Sequence, residues 1–567
     1  MNKISKIELF FYAAFYAFFV IGYQIYCKQL EERPYQGQLS HEARHILWGF
    51  YNPQGTDYSE VATIFIGIPH FLVYCLICLV INILNVPHKK IVVEFLATGI
   101  MISLYGVTLV GVIIIIMVGM AIIGKYLRGI LILPQFLGLM LFAFVSDFLS
   151  KIKWLNFREC IEFTPTVYSG FHAHVVRAML ICCDYANSPE QVSWKHLFSE
   201  SIGFSAFTNV FMSGSFILFN DWKQWKDGMH EFVWSGAFKV VPKKIVGKAT
   251  VVRTLSINRF VQRILWIIFW VYFYKHFMFA VNLLKLMAPI SDRILKDQCQ
   301  ISDWGILSYV TLMTVMRFNV FYAIFYNVSR LIGDFQQFLL SPAFSPEAEK
   351  LISGDEEAIK AWRKASIIEK LFRLEMETEC LMPEGPCCTV CVETSSAIWR
   401  KFDTGLYNVL KHYVYIPWIM IVTKLLDRGA TKEGQKLGPL ANQFSPICGA
   451  LFTFIFVLTF HRWTRGNQIW VMFSFTLWLM ERMVIQCNRK YGMSDYLERR
   501  LSPAWERRIR FGACAMLQLV NMTSFYFFVT QFETGSFMMK TMIMYPCSQL
   551  LFVISLYCSI NLKNAVF

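Results

Sequence analysis

Residues 91–124 read IVVEFLATGIMISLYGVTLVGVIIIIMVGMAIIG, and Glu94 is their only charged residue. An α-helix rises about 1.5 Å per residue, so one straight helix over this run would extend about 50 Å. The hydrocarbon core of a bilayer is only about 30 Å thick. We therefore expect either two short membrane helices here or one long helix that is broken.

The rest of the chain is also rich in apolar residues and poor in charged ones. Hydrophobic residues make up 56% of its 567 residues and charged residues 16%, whereas about 25% of the residues of a soluble protein are charged. These values predict an all-α, polytopic membrane protein with ten or eleven transmembrane helices plus re-entrant and interfacial helices. The other candidate spans are residues 9–26, 61–84, 129–148, 263–286, 305–332, 446–462, 467–486, 510–531 and 541–562.

We interpret residues 1–567 as a single membrane domain, in which residues 9–26 are a retained first span and not a cleaved signal peptide. Residues 204–222, FSAFTNVFMSGSFILFNDW, are aromatic but interrupted by Asn, Gly and Ser, which favours a re-entrant segment. The domain divides into N-terminal spans (1–148), a re-entrant and cytosolic segment (149–262), central spans (263–332), a charged cytosolic insertion with a cysteine cluster and an interfacial helix (333–445), and C-terminal spans (446–567).

The formal net charge of +15 comes from basic residues in the loops. Residues 223–263 carry nine basic and two acidic side chains, and residues 487–510 carry seven and three. Cytosolic loops of membrane proteins gather Lys and Arg, so we assign both segments to the cytosol. No nucleic-acid-binding motif accompanies the charge, and we expect no nucleic-acid partner. Residues 345–377 are charged and helix-prone, as is typical of a pair of solvated surface helices.

Two ionisable residues stand beside apolar helices. In residues 399–417, WRKFDTGLYNVLKHYVYIP, Asp403 occupies an N-cap position before an amphipathic, interfacial helix that we expect to end at Pro417. His461 ends the apolar run 446–460. The simplest interpretations are a capping carboxylate and an interfacial histidine. Ionisable groups next to apolar spans also often mark functional sites.

The combination of these motifs resembles the membrane-bound O-acyltransferase superfamily, and within it the hedgehog acyltransferase branch, which transfers palmitoyl to protein cysteines. The resemblance is carried by W-R-x-F-D-x-G-L at residues 399–406 and by the apolar run that ends in His461, with FMSGSFILF at 211–219 as a weaker match. Three departures stand out. Phe460-His461-Arg462 replaces Trp-His-Gly, Ser215 replaces Pro, and the Asp-to-His separation (461 − 403 = 58) is long.

The resemblance implies an acyltransferase of the endoplasmic reticulum or Golgi membrane. Its expected substrates are palmitoyl-CoA and the N-terminal Cys of a secreted signalling protein, hedgehog-like or EGF-like, and we expect a monomer. It implies His461 and Asp403 as catalytic residues, with His461 as the general base, and Trp399, Arg400 and Asn521 as substrate-binding residues. A simple topology would separate Asp403, toward the cytosol, from His461, toward the lumen. The two meet only if the 399–445 region re-enters the membrane.

The cysteines Cys387, Cys388 and Cys391 admit three interpretations. A zinc site requires a fourth ligand, which is not nearby in the sequence. Cysteines beside a membrane helix are also palmitoylation sites. The resemblance implies a third, a haem b held by a cysteine just upstream of the Trp-Arg-x-Phe-Asp motif, and Cys388 fits that position best. Iron accepts thiolate as a ligand.

Other functions remain open at this point. One is O-acyl transfer to a lipid or sterol hydroxyl within the same superfamily. Another is a non-catalytic regulator, against which the presence of His461 argues. A third is a transporter, which is disfavoured because no inverted repeat is visible in the sequence.

Overall fold

The structure is a computed structural model of the chain. It describes residues 4–32, 68–127, 133–141, 165–188, 192–206, 216–227, 232–236, 238–242, 252–345, 356–379, 385–426, 439–530 and 532–566, with a few isolated positions between these ranges. The re-entrant candidate is therefore described only at its two ends, and Ser215 lies outside the described residues, as do 61–67, 142–148 and 427–438.

The described chain is mostly helical. In chain order the helices are α1 (Lys6–Glu31), α2 (Ile68–Ile83), α3 (Lys89–Tyr105), α4 (Val107–Tyr126), α5 (Pro165–Asn187), α6 (Trp194–Ala206), α7 (Phe219–Asp227), α8 (Ile257–Phe273), α9 (Leu283–Leu295), α10 (Ile301–Leu339), α11 (Glu356–Lys364), α12 (Ile367–Arg373), α13 (Ser395–Lys401), α14 (Thr404–Leu426), α15 (Pro439–Phe460), α16 (Arg465–Tyr491), α17 (Met493–Arg500), α18 (Pro503–Val529), α19 (Phe532–Met544) and α20 (Pro546–Val566).

Six of the described helices are long and apolar enough to cross a membrane: α1, α4, α10, α14, most of α15, and α18. A seventh crossing results if α19 and α20, which meet at 98°, form one broken span. Shorter apolar helices lie within α2 and α3. The chain is thus a helical, multi-pass membrane protein, while the count of ten or eleven crossings stays a prediction.

The apolar run 91–124 is broken into two helices, as expected. Helix α3 ends and α4 begins at Gly106, whose φ of +82° lies in the left-handed region that favours glycine. Helix α4 then packs closely on α5. A Cβ at Gly124 would lie 2.4 Å from the carbonyl oxygen of Cys182, so only glycine permits this approach.

The expected end of the interfacial helix at Pro417 is wrong. Helix α14 passes through a π turn at Leu410–Tyr415 and continues to Leu426, which makes it long enough to span a membrane. Proline has no backbone N–H, and it is tolerated in the first turn of a helical segment. Pro417 occupies such a position, as the second residue after the π turn.

The mostly helical fold, which is consistent with the predicted all-α class, also contains a four-stranded sheet that the sequence did not predict. Its strands are β1 (Phe232–Gly236), β2 (Lys239–Pro242), β3 (Val252–Leu255) and β4 (Glu375–Glu379), in the order β1-β2-β4-β3. β4 pairs parallel to β2 and antiparallel to β3. The sheet therefore joins the basic 223–263 segment to the charged insertion, two regions that no pattern in the sequence predicts to meet. The insertion does contain the expected pair of short helices, α11 and α12.

Helix α10 forms the centre of the bundle, and most of its 39 residues are buried. Its Arg317 donates to the carbonyl oxygens of Met278, at 2.7 Å, and Val281, at 2.8 Å, where the chain breaks between α8 and α9. The Arg317 guanidinium also lies 4.5 Å from the centre of the Phe279 ring. One buried side chain thus satisfies the carbonyls that a broken helix leaves without partners.

Candidate functional site

His461 lies in the turn that ends α15. The backbone N–H of His461 donates to the Val457 carbonyl oxygen at 3.0 Å. The next residue, Arg462, has a φ of +71°, in the left-handed region. The Asn467 side chain donates to the carbonyl oxygens of His461 and of Arg462, the latter at 3.1 Å. These bonds satisfy carbonyls that the end of α15 leaves free, so the turn that carries His461 is held in one geometry.

The residues after this turn pack closely against α18. A Cβ on Gly466 would lie 2.5 Å from the Phe527 carbonyl oxygen, and this close approach brings Phe528 beside His461. The imidazole centre lies 4.8 Å from those of the Phe460 and Phe528 rings and 5.5 Å from that of Trp470. All three rings stand nearly perpendicular to it, an arrangement that fixes the imidazole plane and leaves it half-buried.

Asp403 is an N-cap, as the simplest interpretation of the sequence predicted. Its Oδ1 accepts from the Leu406 N–H at 2.8 Å, at the start of α14. The Tyr326 hydroxyl of α10 also hydrogen-bonds to the carboxylate. Asp403 therefore links the start of one membrane helix to the middle of another.

An aromatic cluster connects the surroundings of Asp403 with those of His461. The Phe402 ring, next to Asp403, stacks on that of Phe318 with their centres 5.4 Å apart. Phe318 in turn contacts Phe528, at 5.8 Å between ring centres, and Phe528 contacts His461. We call Phe318, Phe402, Phe525 and Phe528 the aromatic bridge. Asp403 and His461 lie at its two ends.

Phe216 lies at one described end of the re-entrant candidate. It contacts residues next to Asp403 and residues next to His461. Its ring centre lies 6.1 Å from that of Phe460. Its backbone lies against Gly405, where a Cβ would come within 2.6 Å of the Phe216 oxygen. Helix α14 and the end of α15 are thus joined through a segment that is distant from both in sequence.

The predicted substrate-binding residues Trp399 and Arg400 differ in position. The Trp399 ring stacks on that of Trp470 at 5.5 Å between centres, so it belongs to the surroundings of His461. The exposed Arg400 side chain instead donates to the backbone oxygen of Ser396, at 3.1 Å, and to its Oγ, at 3.2 Å, within its own helix α13.

Asn521 is buried on α18, where its Oδ1 accepts from the Ser395 hydroxyl at 3.3 Å. Its spacing to Phe525 and Phe528 puts all three on one face of the helix. Asn521 therefore anchors the start of α13 on the face that carries the aromatic bridge.

Sequence reasoning missed a second anchor of α13. The Glu481 carboxylate accepts from the Ser396 N–H at 2.9 Å and from its hydroxyl at 2.6 Å. The sequence does contain a signal for this anchor, because Glu481 is an acidic residue in the apolar run 467–486. Tyr326 and Trp470 were also missed, since nothing distinguishes them from other aromatic residues of membrane spans.

Cys388 and Cys391 lie in one tight turn. The Cys391 N–H donates to the Cys388 carbonyl at 3.1 Å, and the Cys388 Sγ lies 4.0 Å from the Met316 Sδ. Its hydrogen bond with Cys391, together with burial, raises the pKa of the Cys388 thiol. Among the described residues no group of three or more His, Cys, Asp or Glu side chains could hold a metal ion.

The residues around Cys388 are compatible with a haem. Cys388 is half-buried and its neighbour Met316 is a second sulfur group, so the donors are of a type that haem iron accepts. Binding would have to draw the Cys388 thiol away from Cys391 and deprotonate it. Ligation by Cys388 stays a prediction.

No protein-family model matches this chain, and no curated protein matches it. The resemblance to the acyltransferase superfamily therefore stays a prediction from the motifs at residues 399–406 and 446–461.

We predict that Arg462→Gly stabilises the protein by up to about 1 kcal/mol, because a left-handed backbone costs a side-chain-bearing residue about that much. The measurement is the thermal unfolding midpoint in detergent. Arg465→Gly, at the exposed start of α16, is the control and should not raise the midpoint. A lower midpoint for Arg462→Gly would mean that the contacts of the Arg462 side chain outweigh the strain.

We also predict that the protein purified from haem-supplemented cells shows a Soret band that Cys388→Ala removes or shifts. The band reports the ligand bound to the iron, so the neighbouring Cys391→Ala should retain it. An unchanged band in Cys388→Ala would exclude this cysteine as the ligand.

Proposed function

We propose that this protein transfers a palmitoyl group from palmitoyl-CoA to the N-terminal Cys of a secreted signalling protein, hedgehog-like or EGF-like. The observation that carries the proposal is the half-buried imidazole of His461 at the end of an apolar helix. It is bounded by aromatic rings and connected through the aromatic bridge to Asp403.

The thioester of an acyl-CoA is already activated, so the protein mainly has to align the nucleophile and exclude water. In the proposed step the substrate amine nitrogen attacks the thioester carbonyl carbon. A C–N bond forms, the C–S bond breaks, and CoA leaves as a thiolate. The neutral imidazole of His461 accepts the proton that the amine loses.

The rings around His461 suit the second requirement, the exclusion of water. Phe460, Trp470 and Phe528 present apolar faces and edges to the imidazole, and Trp399 extends this wall through its stack on Trp470. An acyl chain is apolar and gains free energy on leaving water for such surroundings. We therefore assign these rings to the binding of the acyl chain and the thioester.

Asp403 supports the site from the other end of the aromatic bridge. Its carboxylate already caps α14 and holds Tyr326, so its first role is to position α14. We propose a second role in binding the incoming amine in its cationic form, which loses one proton to water before the neutral amine attacks the thioester. Acyl-CoA would then enter from the cytosol and the secreted protein from the lumen. The protein would act as a monomer in the endoplasmic reticulum or Golgi membrane.

We predict that His461→Ala lowers acyl transfer at least about 100-fold, the usual contribution of a general base. The assay incubates the purified protein with labelled palmitoyl-CoA and N-terminal-Cys peptides. The exposed His196→Ala on α6 is the matched control and should keep full activity. Undiminished transfer in His461→Ala would exclude His461 as the base. Label in lipid or sterol but not in peptide would favour O-acyl transfer, and no transfer by the wild type would favour a regulator.

A pair of variants separates the two roles of Asp403. Asparagine also caps helices well, so Asp403→Asn should leave the thermal midpoint nearly unchanged, whereas Asp403→Ala should cost about 1 kcal/mol. If the carboxylate binds the amine, Asp403→Asn lowers peptide acylation despite its intact fold, chiefly by raising the KM for the peptide. Full activity of Asp403→Asn would exclude the amine-binding role and leave only helix capping for Asp403.

A further inference from the structure

The sequence contains two C-x-x-C motifs, and the structure gives them different surroundings. Cys75 and Cys78 lie on the apolar helix α2 and are only 4% and 0% exposed. Cys388 and Cys391 are half-buried, in the turn that precedes α13. A soluble oxidant therefore has access to the second pair, whereas the first pair is enclosed by protein.

The turn holds the two thiols of the second pair together. The Cys391 N–H donates to the Cys388 carbonyl oxygen at 3.1 Å and closes a 3₁₀ turn at Thr389–Cys391. Residues i and i+3 of such a turn have their side chains on the same side, and the two thiols are hydrogen-bonded to each other. The α carbons at the two ends of a turn are less than about 7 Å apart, a distance that a disulfide bond can bridge.

Two neighbouring helices fix this turn. Asn319 of α10 donates to the Thr389 Oγ1 at 2.7 Å and accepts from the Thr389 N–H at 3.1 Å. Ser559 of α20 donates to the Val390 carbonyl oxygen at 2.8 Å. Both residues between the cysteines are thus anchored, so the two sulfur atoms lose little further freedom when they join. Groups that are already aligned react with each other much faster than with separate molecules.

We propose that Cys388 and Cys391 form a reversible disulfide, with a low-molecular-weight disulfide such as oxidised glutathione as the oxidant. One cysteine thiolate attacks the oxidant, whose S–S bond breaks, so that a mixed disulfide forms and the first glutathione leaves. The other cysteine then attacks the protein sulfur of the mixed disulfide and releases the second glutathione. The pair loses two electrons, which the oxidant gains, and the two thiol protons end on the two glutathione molecules.

The oxidation state of the pair bears on two neighbouring features. Iron and a disulfide bond both need the Cys388 sulfur, so the disulfide excludes the haem ligation predicted above. The Cys387 N–H donates to the Lys401 carbonyl oxygen at 3.0 Å, at the end of α13 and two residues before Asp403. The turn is thus hydrogen-bonded to the helix that leads into Asp403. Formation of the disulfide does not itself depend on the proposed acyl transfer.

The test exposes the full-length protein in detergent to oxidised glutathione, quenches it with acid, alkylates the remaining thiols after unfolding and maps the cysteines by mass spectrometry. The protein is purified without added haem and is used only if it lacks a Soret band, so that iron does not occupy Cys388. We expect a Cys388–Cys391 disulfide that dithiothreitol reverses, in at least about 10-fold excess over glutathione adducts of either cysteine. Cys75 and Cys78 should stay reduced.

Single substitutions identify the partners. Cys391→Ser should leave Cys388 as a glutathione adduct, because the resolving thiol is gone, whereas the control Cys387→Ser should form the disulfide as the wild type does. Thiols that only pack in the turn predict that Cys388 and Cys391 both stay reduced in oxidised glutathione. That result overturns the proposal, as would stable glutathione adducts in place of the disulfide, or equal oxidation of Cys75 and Cys78.

Discussion

The constraint on which this structure depends is that an apolar solvent offers no hydrogen bonds to a broken helix. Every carbonyl or N–H group released at a break has to find its partner within the chain. Arg317 supplies donors to the carbonyls of Met278 and Val281, and Asn467 does so for His461 and Arg462. Asp403 provides an acceptor for the first turn of α14.

The same breaks create the candidate site. An unbroken helix would leave His461 as one more residue on a continuous apolar surface, whereas the turn at Arg462 puts it at a helix end, facing rings from other helices. Asp403 likewise caps α14 because α13 stops just before it. Between the two ends, aromatic rings fill the space, and they bring rigidity and a dry environment at once.

At the end of the bundle that carries the sheet, buried side chains are held by ion pairs. There the buried carboxylate of Asp334 pairs with Arg253, Arg263 and Arg330, beside a sheet whose four short strands come from distant parts of the chain. Neither β3 nor β4 is long enough to be stable alone, since isolated pairs of short strands are marginal in water. The sheet exists because α10 covers one of its faces.

Local patterns in the sequence were enough to determine that this is a helical, multi-pass membrane protein, that residues 91–124 break into two helices, and that Asp403 caps one. These features depend on composition, on helix length against bilayer thickness, and on the residues next to the cap. The continuation of α14 past Pro417, the sheet and the aromatic bridge were decided by the tertiary structure. Each needs contacts between residues far apart in the chain, such as Phe216 against Gly405 and Phe460, and no local pattern records which distant surfaces meet.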